Sequence, residues 1–173
     1  VTIRQVDADE LVSTAPAFGA LLVDAVEGGA SVSFVDVPSP AEAAAFWLEL
    51  VPDVRAGFRL LLGAFEADGT LVGTVQVARA RQLNQPHRGD VAKLLVHRAA
   101  RGRGVGAALM HAAEAAARAA GLSLLVLDTW PGSAAYDLYV RLGWTLVGVI
   151  PNYALDRHGD PVDTAIFYKN LRT

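Results

Sequence analysis

Apolar positions along this chain switch between two spacings, and the switches divide it into elements. Thr2 to Val6 is a short extended run. After Asp7 and Asp9, either able to cap a helix, Leu11, Ala15, Phe18, Leu21, Leu22 and Val26 recur at helical intervals along one face. Pro16 falls inside that pattern and predicts a kink or a second start. Glu27-Gly28-Gly29 ends the helix, and Ser31 to Phe34 is a link without a clear period. Pro38-Ser39-Pro40 predicts the next helix, with Ser39 as N-cap, Pro40 in the first turn, and Phe46, Trp47, Leu50 and Val54 on one face. The spacing then becomes two. Arg59 to Glu66 and Leu71 to Ala78 are strands joined by a turn at Ala67-Asp68-Gly69. Gln82 to Gly89 is a polar loop, and Asp90 opens a strand carrying Leu94, Leu95 and Val96.

The second half returns to helical spacing. Ala107 to Ala120 is built of strong helix formers, with Val105, Leu109, Ala112, Ala116 and Ala119 as its buried stripe. Glu114 and Arg118 are spaced as an ion pair on the opposite, solvated face, and Gly121 is the stop. Leu122 to Leu127 is almost purely apolar, the mark of a strand covered on both sides, with Asp128 at its carboxyl end. Ser133 caps a helix over Ala134 to Leu142 that stops at Gly143. Thr145 to Ile150 and Thr164 to Lys169 are strands, with a turn at His158-Gly159-Asp160. A helix between the strands ending near Val96 and Leu127 makes a right-handed parallel crossover. The order predicts a single α/β domain over residues 1–173, with a mixed sheet and helices on both faces.

At 173 residues the chain is long enough for a real core. Hydrophobic residues make up 53%, yet no apolar run reaches the ~18–20 residues of a membrane span. Val1-Thr2-Ile3-Arg4 lacks the layout of a signal peptide. The absence of cysteine excludes disulfides and thiolate zinc sites and fits a cytoplasmic setting. The net charge of −3 and the clustering of Arg98, Arg101 and Arg103 favour a local anion site over a nucleic-acid face. His87, His97, His111 and His158 show no metal-ligand spacing, so no metal is expected.

The candidate chemistry lies where the strand at Leu94-Leu95-Val96 turns into a helix. Arg101-Gly102-Arg103-Gly104-Val105-Gly106-Ala107 brings three glycines and two arginines to a helix start, where unpaired amides and the helix dipole favour an anion. A bare tight connection is the plain alternative. A P-loop is excluded, because no Gly-Lys-Ser/Thr follows. Gly102, Gly104 and Ala107 fit a dinucleotide fingerprint, with Asp128 at about the expected distance of ~20 residues. Against it, His97 to Arg101 separate the glycines from their strand, and too little chain remains after Asp128. Arg101, Gly104 and Gly106 also fit R-x-x-G-x-G.

That last pattern resembles the acetyl-coenzyme A loop of the GNAT superfamily of N-acetyltransferases. A second segment agrees: Ala135-x-x-Leu138-Tyr139-x-x-x-Gly143-Trp144 is similar to the superfamily's second coenzyme A segment. Within the superfamily, Leu21-Leu22-Val23-Asp24, Gly28-Gly29-Ala30-Ser31-Val32, Lys93-Leu94, Leu127-Asp128-Thr129, Gly132-Ser133 and Thr164-Ala165-Ile166 resemble the tabtoxin resistance acetylases, nearly end to end. The resemblance implies a GNAT-type, mostly antiparallel central sheet with helices on both faces. It implies acetyl-CoA as cofactor, its pyrophosphate held by residues 101–107 and its pantetheine arm by Leu94, Leu95, Val96, Ser133 and Tyr136. It implies Tyr139 as general acid to the leaving sulfur and Asp90 and Asp128 as the carboxylates serving the acceptor amine. The toxin acetylases have Glu at the position of Asp90, and which of the two aspartates is the base stays open. Gly132 stands where many members have Asn, so a pantetheine contact is either lost or moved to Ser133. An amine must lose a proton before it attacks a thioester, because an alkyl ammonium near pKa ~10 is no nucleophile at neutral pH. The expected function is acetyl transfer to a small amine, amino-acid-like or antibiotic-like. A protein or peptide acceptor and a non-catalytic coenzyme A-binding domain are the alternatives. A membrane and nucleic acid are not expected as partners, and a homodimer is compatible with the chain.

Overall fold

The computed structural model describes residues 1–30, 36–156 and 158–172. Its elements are β1 (Thr2–Gln5), α1 (Ala8–Glu27), α2 (Pro40–Leu48), α3 (Val51–Arg55), β2 (Arg59–Phe65), β3 (Leu71–Arg79), β4 (Arg88–Val96), α4 (Val105–Ala119), β5 (Leu124–Thr129), α5 (Ala134–Arg141), β6 (Thr145–Leu155) and β7 (Pro161–Asn170). A 3-10 turn at Arg98–Ala100 joins β4 to the loop before α4. The link at 31–35, unassigned in sequence, lies outside the described residues. The strands form one sheet in the order β1-β2-β3-β4-β5-β7-β6, antiparallel throughout except for β4 beside β5. Among the described residues, no helix is long and apolar enough to cross a membrane.

Local signals set the helix ends. The Asp7 carboxylate accepts from the amides of Asp9 and Glu10 at 2.9 and 2.8 Å, so Asp7 rather than Asp9 caps α1. Pro16 does not divide the helix. It deprives the Val12 carbonyl of its donor, and Val12 is 51% exposed, so water can serve that carbonyl. Ser39 and Glu42 form a reciprocal capping box at the start of α2. The single face expected through Val54 is broken at Leu50, where α3 begins with Pro52 in its first turn.

Each face of the sheet has its own core. Leu11, Phe18, Leu21, Leu22 and Trp47 of α1 and α2 pack with Leu61 and Leu95 on one side. Leu109, Met110, Ala113 and Ala117 of α4 pack with Val75, Val77, Val91, Leu125 and Phe167 on the other. The stripe of α4 is displaced from the expected one: Ala112 and Ala116 are half-buried and Ala119 is exposed. In so alanine-rich a helix the alanines do not mark the inner face, and the larger Leu109 and Met110 set it. The displacement buries Glu114, so the expected surface pair with Arg118 does not form. Glu114 Oε1 instead accepts from Lys169 Nζ at 2.8 Å and Trp144 Nε1 at 3.0 Å, while Arg118 donates to the Leu171 carbonyl.

Candidate active site

The site follows from an irregularity in β4. Between the pairs Gln76↔Ala92 and Thr74↔Leu95, β4 holds one residue more than β3, and Lys93 there takes φ 52°, a left-handed backbone uncommon outside glycine. The extra residue reverses the alternation of side chains. Val91 belongs to the core beneath α4, but Leu95, four residues on, belongs to the core beneath α1 and α2. On its other edge β4 pairs with β5 through only three rungs, Arg88↔Leu124, Gly89↔Leu125 and Asp90↔Val126. Beyond Asp90 the parallel strands part, leaving the β5-facing edge of Leu94, Leu95 and Val96 without a strand partner.

The opening is a groove of about 740 Å³. Lys93 to Val96 line one side, Asp128 to Trp130 the other, and Ser133, Leu138 and Tyr139 of the α5 segment lie along it. Its far end is closed by Arg101, Gly102, Gly104, Val105, Gly106 and Ala107. Gly102 and Gly104 have φ of 74° and 79°, which glycine adopts without steric cost. The first bond from this turn into α4 runs from the Ala108 amide to the Gly104 carbonyl, at 3.0 Å. The amides of Val105, Gly106 and Ala107 therefore have no helical acceptor and carry the positive end of the helix dipole.

The arginine cluster read from sequence is divided by its partners. Asp24 of α1, 8% exposed, accepts from the Arg98 amide at 2.9 Å and from Arg98 Nε at 2.7 Å. Burial works to raise the Asp24 carboxyl, but the hydrogen bonds of Arg98 outweigh it and hold the group below its ordinary range. Arg98 also pairs with Glu27 at 2.8 Å, and Arg103 with Glu66 at 2.8 Å, away from the groove. Of the three, Arg101 lines the groove, its Nε donating to the Val96 carbonyl at 3.1 Å. Arg98 and Asp24 fasten the glycine-rich turn to α1.

At the other end, Tyr139 is buried between Trp144 and Phe167, with ring centroids 6.0 and 6.1 Å away. Burial first, and the Asp128 carboxylate second, push its phenol well above the ordinary value. Asp128 is exposed to the groove, and Thr164 Oγ1 donates to it at 3.5 Å. Ser133 caps α5 by accepting the Tyr136 amide at 3.1 Å. The Tyr136 ring stands edge-on to Phe167, with centroids 5.1 Å apart, and is not part of the groove wall. Asp90 does not open β4, which begins at Arg88; it is level with Val126 and accepts from Arg88 Nη1 at 2.7 Å, outside the groove lining. Nor do the two aspartates stand at opposite ends of the strands: Asp90 shares a face with Asp128, two residues further along. Lys93 and Trp130, which line the groove, were missed in the sequence, since neither a bulge nor a buried indole N–H without an acceptor among the described residues leaves a mark in the residue pattern.

Comparison with known proteins agrees with this geometry. The model of the acetyltransferase (GNAT) family matches residues 30–144. Among solved structures, the acetyltransferase candidate yncA of Salmonella typhimurium, solved with its cofactor acetyl-CoA, superposes with a TM-score of 0.81 at 19% identity, covering 99% of this chain and 94% of its own. The ribosomal-protein-alanine N-acetyltransferase of Brucella melitensis gives a TM-score of 0.81 at 24% identity, covering 98% and 99%. A GNAT superfamily phosphinothricin acetyltransferase of Sinorhizobium meliloti, in complex with acetyl-CoA, gives 0.73 at 20% identity, covering 98% and 87%.

Proposed function

The chain belongs to the GNAT family of acetyltransferases, with acetyl-CoA as its cofactor, and from that premise we propose that it acetylates the amine of a small molecule, an amino acid or a related antibiotic or toxin. The observation that carries the reading is the parting of β4 from β5 above a helix start with free amides. A strand edge without a partner suits the amides of a pantetheine arm, and the turn at 101–107 suits a pyrophosphate. Acetyl-CoA supplies the activated acyl group and a thiolate leaving group. The end-to-end resemblance to tabtoxin resistance acetylases and the fold likeness to a phosphinothricin acetyltransferase support a toxin-like amino acid as acceptor. The apolar outer strand β6, with Val147, Tyr153 and Leu155 exposed, is compatible with a homodimer.

The site residues divide the work. Arg101 and the amides of 105–107 hold the phosphates, and Ser133 and the edge of Leu94 to Val96 guide the arm. Asp128, on the groove wall, orients the acceptor amine. Asp90 lies two strand rises from the level of Asp128, about 6–7 Å along the sheet, and takes the amine proton through water. Tyr139 keeps its proton at all working pH. Passing that proton to a thiolate of ordinary pKa ~8.5 is uphill, so Tyr139 stabilises the sulfur by donating a hydrogen bond rather than by giving up the proton.

Thermal unfolding with and without acetyl-CoA tests the reading. Ligand at one hundred times its dissociation constant adds about 2.7 kcal/mol, or roughly 5–11 °C for a domain of this size. NAD should give no shift. Gly104→Val should remove the acetyl-CoA shift, because a β-branched residue resists φ of 79° and its side chain enters the phosphate cradle. A shift with NAD and none with acetyl-CoA would overturn the assignment.

A further inference from the structure

The last turn of α1 carries two carboxylates, Asp24 and Glu27, and no basic residue, although the negative end of a helix dipole disfavours anions. Asp24 is also 8% exposed, and a carboxylate taken out of water is costly unless donors meet it. The donors come from the segment after β4. The Arg98 amide donates to Asp24 Oδ2 at 2.9 Å, Arg98 Nε donates to Oδ1 at 2.7 Å, and His97 Nε2 stands 3.6 Å from Oδ1. One oxygen thus takes the backbone and the other the guanidinium of the same residue. The hold passes on through the 3-10 turn. The Arg101 amide donates to the Arg98 carbonyl at 3.3 Å, and Ala100 between them is buried. Arg101 then returns to α1: a Cβ on Gly28 would meet Arg101 Nη2 at 3.1 Å, so the guanidinium lies against the helix end. Ala25, Gly28 and Gly29 of that end line the same groove as Arg101, Gly102 and Gly104, whereas Asp24 is not part of the lining.

We propose that Asp24 is a positioning residue for acetyl-CoA: through Arg98 it sets the place of the glycine-rich turn and of Arg101, and so governs cofactor affinity without touching the cofactor. The proposal rests on the acetyltransferase reading above and adds to it a control on cofactor binding from α1, a helix outside both coenzyme A segments. It accounts for two acids at a helix end where the dipole opposes them. It also accounts for the use of both carboxylate oxygens. An amide side chain at position 24 would present its NH2 to one of the two N–H donors in either orientation, so the charge and one acceptor are lost together.

Isothermal titration of acetyl-CoA into the whole chain tests this, with melting curves of each variant taken without ligand. Asp24→Asn should raise the Kd of acetyl-CoA about 3–30-fold, within the range for residues coupled to a site they do not touch. Arg98→Met, which keeps the backbone hydrogen bond to Asp24, should give the smaller part of that loss. Its side chain is 50% exposed, so it decides the matter where Asp24→Asn does not fold. The double variant should bind no more weakly than Asp24→Asn alone, since both changes break one contact. Asp24→Glu, which keeps the carboxylate, should recover part of the affinity. Glu114→Gln lowers stability from a residue outside the groove lining and should leave Kd unchanged, whereas a role in folding alone would move every destabilised variant alike. An unchanged Kd in Asp24→Asn and Arg98→Met overturns the proposal and leaves the family reading standing. Fully additive losses in the double variant, or an equal loss in Glu114→Gln, also overturn it. Failure of the wild-type chain to bind acetyl-CoA removes both.

Discussion

Glu114→Ala should destabilise this domain more than a substitution at any of its exposed carboxylates. The side chain, 4% exposed on α4, gathers β7 and the start of β6 onto one oxygen through Lys169 and Trp144. Removing it leaves a half-buried ammonium and a buried indole N–H. Breaking a buried pair by deleting one partner costs about 3–5 kcal/mol, because the remaining charge is uncompensated. Lys169 keeps a hydrogen bond to the Leu142 carbonyl at 2.8 Å and its side chain is 19% exposed, so some water reaches it. That places the loss near the lower end, about 3 kcal/mol, or roughly 6–12 °C at 2–4 °C per kcal/mol for a chain of this length. Glu114→Gln keeps an oxygen acceptor for Trp144 and should lose less. Circular dichroism melts, with urea unfolding as a check on slope, read the effect. In a double-mutant cycle with Lys169→Met the losses should be clearly less than additive. A Glu114→Ala melt within about 1 °C of wild type, far short of the 2–4 °C that a single kcal/mol would give, or strict additivity in the cycle, would refute the reasoning.

Two further predictions concern the groove. Tyr139→Phe should lower kcat by about 10²–10³-fold, the usual loss for one preorganised hydrogen-bond donor, with acetyl-CoA affinity nearly unchanged, as steady-state kinetics and a thermal shift would show; full activity would reduce Tyr139 to a packing residue between Trp144 and Phe167. Asp128→Asn should mainly raise the acceptor KM, whereas Asp90→Asn should mainly lower kcat; wild-type kcat in Asp90→Asn would place the base elsewhere.

What could be read from the sequence was local. The start of α2, the turns at Gly102 and Gly104 and the cap of α5 at Ser133 each depend on residues within one helical turn, and each formed as expected. What could not be read depended on partners far along the chain. Arg98 is claimed by Asp24, 74 positions away, and Arg103 by Glu66, 37 positions away, so three clustered arginines that read as one anion site became two struts and one groove residue. Glu114 looked like a surface residue because Arg118 follows it at the spacing of a solvated ion pair and the alanines between them do not mark an inner face. Its true face is fixed by Lys169, 55 positions on.

The bulge at Lys93 was the least legible feature, and the site turns on it. A lysine at positive φ has no signature in composition or spacing, and the apolar run at Leu94 to Val96 reads as an unbroken strand. Yet one additional residue does three things at once. It reverses the side-chain parity, so that Leu95 fills the core under α1 and α2 while Leu94 and Val96 pack toward α4. It accompanies the loss of β4–β5 pairing after Asp90, which opens the edge suited to the pantetheine arm. It also delivers the lysine to the face where Asp128 stands. A regular β4 in continued register would close the slot and shift every later side chain to the opposite face. The open strand edge and the placing of Lys93 beside Asp128 are therefore two consequences of a single irregularity. Sequence motifs mark the glycine-rich turn, but the parting of β4 from β5 goes with backbone geometry at a residue the motifs do not mark.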